Sequence, residues 1–156
     1  MPSMLGRPIP QRKPFGSLEQ EAFLSLARLS SELGAKQAEL LKGSEITWTQ
    51  YNALRILRGV EGDALTCGQI GERMITRDSD VTRLLDRLEK QKLVTRARDE
   101  NDRRVVKTRI TDRGLNVLAD LEAPIAELHR RQLGHLGERK LRQLLSLLEE
   151  AASPES

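Results

Sequence analysis

A chain of 156 residues with 31% charged and 3% aromatic side chains suits one domain, or one domain with an oligomerisation extension. Its core must come mainly from Leu, Ile, Val and Ala, and the scarcity of β-branched runs favours a mostly helical protein. One cysteine, Cys67, excludes an internal disulfide and a multi-cysteine zinc site, and no apolar run approaches the roughly 20 residues that span a bilayer, so a cytoplasmic protein away from any membrane is expected.

The net charge of +3 is unevenly spread. Residues 73–113 hold 13 Lys/Arg against 8 Asp/Glu, and residues 1–16 add Arg7, Arg12 and Lys13 with no acid. That is an electrostatic footprint for a polyanion. Residues 1–16 also hold four prolines, which predict an extended basic arm, and no apolar core follows to make a secretory leader.

Ser17, with Gln20 three positions on, predicts a helix start, and Ala22, Leu26, Leu29, Leu33, Leu40 and Leu41 keep helical spacing to about Lys42. A second helix capped by Thr47 or Thr49 carries Tyr51, Leu54, Ile56 and Leu57 and ends at Gly59. Leu65 to Met74 predicts a short helix capped by Thr66. The next helix, capped by Asp78 or Ser79, has Val81, Leu84, Leu85 and Leu88 as an inward stripe opposite Thr82, Arg83, Asp86, Arg87 and Lys90. Two β-prone arms follow, Leu93 to Arg98 and Val105 to Ile110, around a charged turn; in the second, Val106, Thr108 and Ile110 alternate with Lys107 and Arg109. A helix from Leu115, expected to kink at Pro124, and a last helix from Glu138 to Ala152 complete the chain.

Two short helices followed at once by an arginine-tipped hairpin make a winged helix-turn-helix, whose second helix enters a major groove and whose tip fits a minor groove. Ser79, Asp80, Thr82 and Arg83 occupy the start of that second helix, and Arg83 suits guanine O6 and N7. Arg77 and Arg87 fit backbone phosphates. At the tip, Arg104 is the residue for groove insertion and Asp102, two residues before it, would orient the guanidinium. Arg103, Arg98, Arg96 and Lys107 would add phosphate attraction.

The pattern Asp102-Arg-Arg104, five residues, Ile110-Thr-Asp-Arg-Gly114 resembles the wing of the MarR family of bacterial transcriptional regulators, and Ser79 to Lys90 resembles its recognition helix. Lys92 stands where the family often has glycine. The resemblance implies a mostly α (α+β) fold, a winged helix-turn-helix with N- and C-terminal helices forming a dimerisation lobe. The expected divisions are a basic arm (1–16), an N-terminal dimerisation helix (17–46), a DNA-binding lobe (47–114) and C-terminal dimerisation helices (115–156). The stripes Leu26/Leu29/Leu33, Leu118/Leu121/Ile125 and Leu141/Leu144/Leu148 are expected to bury against a second copy.

The function so implied is a sequence-specific regulator, more a repressor than an activator, acting as a homodimer on a pseudo-palindrome in double-stranded DNA; the alternative is a winged-helix protein-interaction module. The resemblance also implies a pocket for a small aromatic or phenolic effector. Trp48 and Tyr51 either line it, with Arg55 or Arg28 meeting an anion, or pack the junction. Cys67 is either core packing or a thiol activated in the first turn of a helix; the family's oxidant-sensing cysteines lie in the first helix, where this chain has none. His129 and His135 lack partners at metal-ligand spacing, no catalytic grouping is present, and neither a metal nor a cofactor is expected.

Overall fold

The computed structural model describes residues 16–60, 63–75 and 80–153. Arg77, Asp78, Ser79 and nearly all of the basic arm lie outside the described residues. In chain order the elements are α1 (Leu18–Leu41), α2 (Trp48–Arg58), β1 (Leu65–Thr66), α3 (Cys67–Arg73), α4 (Val81–Lys90), β2 (Val94–Arg98), β3 (Val106–Ile110), α5 (Asp112–Leu133), a 3₁₀ turn (Gly134–Leu136) and α6 (Gly137–Ala152). No described helix is long and apolar enough to cross a membrane.

Side-chain caps decide where most of these helices begin. Thr47, rather than Thr49, opens α2: its hydroxyl accepts the Gln50 N–H and the Gln50 amide accepts the Thr47 N–H. Thr66 and Gln69 repeat that reciprocal pair at α3. At α1, Ser17 accepts the Gln20 N–H, but the Gln20 side chain reaches back to Gly16 instead of Ser17. The cap of α4 is Asp80, whose Oδ1 accepts the Arg83 N–H at 3.1 Å. The expected cap at Asp78 or Ser79 is therefore displaced, because only an acceptor three residues before the Arg83 N–H closes that first turn.

The sheet has a third strand that the periodicity does not predict. β1 pairs antiparallel with β3, Leu65 opposite Thr108, and β3 pairs with β2 in turn, Val94 opposite Ile110 and Arg98 opposite Val106. Two residues are too few to show alternation, so Leu65 and Thr66 become a strand only through their partner. Val94 and Thr108 are buried, whereas Val106 is exposed because it lies beyond the core toward the tip.

Leu54, Leu57, Ile70, Leu85, Leu88, Leu93 and Leu118 are fully buried in one cluster, each worth roughly 1.5–3 kcal/mol relative to an exposed side chain. Leu118, Leu121 and Ile125 of α5 belong to this cluster. The expectation that they await a second copy is thus corrected: α5 packs them against α1 and α2 of its own chain. α5 runs unbroken from Asp112 to Leu133 across Pro124. By contrast α6 buries none of its residues, and Leu145, Leu147 and Leu148 are exposed, as are Leu18, Phe23 and Leu26 of α1.

Candidate nucleic-acid interface

α3 and α4 form the helix-turn-helix. Asn52, buried in α2, accepts the Ile75 N–H at 2.9 Å and so ties the end of α3 to the scaffold. The Cys67 thiol lies 3.7 Å from the Thr82 hydroxyl, joining α3 to α4, and Cys67 is a half-buried side chain packed on the core. α4 turns Leu84, Leu85 and Leu88 inward, which leaves Thr82, Arg83 and Arg87 exposed on the opposite face. Arg83 is 78% exposed and its Nε meets Asp80 Oδ2 at 3.1 Å. Asp80 is therefore both the helix cap and the ion-pair partner of Arg83. Arg77 and Ser79 of the expected interface fall outside the described residues.

The wing tip is locked by its carboxylates. Asp99 Oδ1 accepts the N–H groups of Asn101 and Asp102 at 2.8 and 3.1 Å, and Oδ2 meets Lys107 Nζ at 2.6 Å. The Lys107 hydrogen bond first, and the two backbone N–H groups after it, lower the Asp99 carboxyl to about 2. Asp102 Oδ1 accepts both the Arg104 N–H at 3.1 Å and the Arg104 Nε at 3.2 Å, while the Arg104 side chain is 92% exposed. Arg98 donates to the Arg103 carbonyl at 2.7 Å, and Arg103 itself is exposed. A tip held in this way presents Arg104 outward from a fixed loop.

Several cations assigned to phosphate by charge alone are already engaged. Lys107 belongs to Asp99, and Arg96 is shared between Asp86 and Glu89 of α4. The i, i+3 spacing of those two acids marks one helix face, yet nothing in the spacing says that a strand arginine covers it.

Comparison with known proteins agrees with this geometry. The MarR family's sequence profile matches residues 46–106. The crystal structure of a MarR transcription factor from Planctomyces limnophilus is 43% identical, covers 87% of this chain and 98% of its own, and superposes with a TM-score of 0.67. The MepR–DNA complex from S. aureus is 25% identical over 85% of this chain and 96% of that one, with a TM-score of 0.75. A transcriptional regulator of Methylorubrum extorquens, TtmR, is 35% identical over 72% of this chain and 54% of its own length. This chain spans less than two thirds of the length of curated relatives that it matches. The chain belongs to the MarR family.

Two features of the MarR pattern acquire physical reasons here. Gly114 sits where the end of the wing returns to the start of β2: a Cβ there would press into the Leu93 carbonyl oxygen and come within 2.7 Å of Ile110 Cγ1. Thr111 fastens the same junction, donating to the Lys92 carbonyl at 2.8 Å and accepting the Gly114 N–H at 3.1 Å. Lys92 takes φ 61°, the left-handed conformation that suits glycine, and it completes a Schellman closure of α4 through Lys92 N–H to Glu89 and Leu93 N–H to Leu88. The lysine keeps the turn that glycine would make at lower cost.

Of the four candidate ligand residues, Trp48, Tyr51 and Arg55 form one stack, and Arg28 is not among the residues around it. Trp48 helps line an open recess of about 350 Å³ with Ala38, Leu41, Lys42, Ile46 and Thr47. Tyr51 is buried, stacked on Trp48 with ring centres 5.7 Å apart. Arg55 lies over the Tyr51 ring at 6.0 Å, and Arg28 pairs with Glu32 along α1, away from the recess lining. The Gln91 amide, missed by sequence reasoning, bridges Glu45 O of the recess rim at 2.8 Å and the Gln50 side chain at 3.0 Å.

Proposed function

We propose that this MarR-family chain is a sequence-specific repressor that binds a pseudo-palindromic operator as a homodimer and responds to a small aromatic or phenolic ligand. One observation carries the DNA reading: an exposed Arg104 held by Asp102 at a braced wing tip, beside a helix whose Thr82, Arg83 and Arg87 face outward. An acid on a phosphate-binding surface is unfavourable unless it has a positional task, and here it fixes an arginine for a minor groove. The related MepR crystallised on DNA supports the same use of this fold.

In this reading residues 47–114 form the DNA-binding lobe, 1–16 the basic arm, and 17–46 and 115–156 the dimerisation segments. The exposed leucines of α1 and α6 support assembly through a second copy. The Trp48 recess supports the effector reading, since its rim is hydrogen-bonded to Gln91 at the end of α4.

The deciding experiment is a titration of duplex DNA at one fixed salt concentration. Arg104→Ala should cost roughly 1–3 kcal/mol of operator affinity, the loss of one good groove contact. Asp102→Ala should also weaken binding although it removes a negative charge. Simple electrostatics predicts tighter binding for Asp102→Ala, and that result with the fold intact would remove the orienting role.

A further inference from the structure

Arg96 is a cation on the wing that faces away from solvent. Its Nε donates to Glu89 Oε2 at 2.9 Å, and its Nη2 reaches Glu89 Oε2 at 2.6 Å and Asp86 Oδ1 at 2.5 Å. The Arg96 side chain is 22% exposed, against 46% for Asp86 and 41% for Glu89. The hydrogen bonds that Arg96 donates to the Glu89 carboxylate raise the guanidinium's already high pKa further, so it stays charged. Asp86 and Glu89 lie on α4 within one turn of Arg83 and Arg87, on the helix proposed to enter the major groove. Left unpaired there, two carboxylates would repel the phosphate backbone.

The placement does more than cancel charge. Arg96 stands opposite Thr108 at the middle of the β2–β3 register, and Thr108 is 1% exposed, so the strand beneath it is anchored in the core. From that base a planar, forked guanidinium grips two acids at i, i+3 on α4. The angle between helix and wing is thereby set by a short bridge with little slack.

We infer that Arg96 is a positioning residue, a strut that holds α4 and the wing at the angle at which both engage one duplex in register. Operator specificity then depends on Arg96 although it touches no nucleic acid. This inference rests on the DNA-binding reading above, and the test separates the two.

The test compares full-length wild type with Arg96→Lys and Arg96→Met on a duplex selected by the wild type from a random-sequence pool and on a scrambled duplex, over a series of salt concentrations. Both variants should lose on the order of tenfold in the ratio of selected to scrambled affinity, the size of one misplaced base contact, with the salt slope unchanged. Lysine keeps the charge but lacks the fork, so it should fail nearly as badly as methionine. Equal losses on both duplexes with the slope reduced by about one ion would make Arg96 an ordinary phosphate contact and overturn the strut. Full rescue by lysine, or a lower melting temperature with the specificity ratio intact, would overturn it as well.

If Arg96→Met does not fold, Glu89→Gln and Asp86→Asn loosen the bridge from its other end and should lower the ratio by roughly threefold each; no change in either would count against the strut. A wild type that selects no sequence would refute the DNA reading alone. The strut is then read without DNA, from the distance between spin labels at positions 90 and 100 in a Cys67→Ser background. That distance distribution should broaden in Arg96→Lys, and an unchanged distribution would refute the inference.

Discussion

The winged part of the molecule and its terminal helices solve the same burial problem differently. From α2 to the first half of α5, apolar residues meet partners in their own chain: Leu54, Leu57, Ile70, Leu85, Leu88 and Leu118 are sealed, and the polar groups at the corners are bonded across elements. α6 has an equally clear leucine stripe, but none of its residues is buried, and α1 leaves Leu18, Phe23 and Leu26 in solvent. An amphipathic pattern therefore states that a face will be covered, without stating by what. The same pattern marks in-chain core on α5 and an open surface on α6.

The largest test of this contrast is to end the chain at Leu136. Without α6 the protein should be monomeric at micromolar concentration by sedimentation and lose specific DNA binding to the detection limit, while the winged part still melts cooperatively. A full-length chain that sediments as a monomer would break the contrast at once, because the exposed leucines would then have no second copy to meet.

The next test strikes the closed region at its tightest point. Gly114→Ala forces a methyl group into the Leu93 carbonyl and Ile110, and should cost roughly 1–3 kcal/mol by urea unfolding, as overpacking does. Gly134→Ala in the 3₁₀ turn, where the new Cβ would stand 3.4 Å from Arg130 Cγ, should cost much less. Equal losses at the two glycines would remove the difference in packing between the two regions.

Lys92→Gly should act in the opposite direction. The left-handed turn costs a non-glycine residue about 1–2 kcal/mol, part of which the flexibility of unfolded glycine returns. A gain of roughly 1 kcal/mol in unfolding free energy, with the dimer constant unmoved, would confine the strain to the wing junction.

The smallest effect is the pH response of the tip. Because the folded Asp99 carboxyl is held at about 2, below its ordinary 3.8, its contribution is present above about pH 4 and is lost as pH falls from about 4 toward 2. Lys107→Gln should raise the Asp99 midpoint, observed by carboxyl carbon NMR, toward the ordinary value. A midpoint that does not move would show that Lys107 is not what holds it.

Much of the wing was legible in the primary structure. Asp102 with Arg104, and Thr111 with the Gly114 N–H, act over two or three residues, where caps, tight turns and a two-residue side-chain bridge follow from local geometry, whereas the packing of Thr111 and Gly114 on Lys92 and Leu93 does not. Thr47 and Thr66 as caps, and the inward stripe of α4, were legible for the same reason. The candidate ligand residues were grouped by chemistry alone; the structure stacks Trp48, Tyr51 and Arg55 together and pairs Arg28 with Glu32 along α1.

By itself, then, the sequence determined the helices, the caps of α1, α2 and α3, the wing and the basic face, all set by neighbours within a turn or two. Tertiary structure decided what depends on distant partners. Leu65 and Thr66 became a strand only beside β3, and Leu118, Leu121 and Ile125 became core only beneath α1 and α2. Arg96 turned from an expected phosphate contact into a bridge because Asp86 and Glu89, ten and seven residues back, fold against it. The physical reason is that charge and hydropathy specify what a side chain needs, while chain topology selects which of several suitable partners comes within reach.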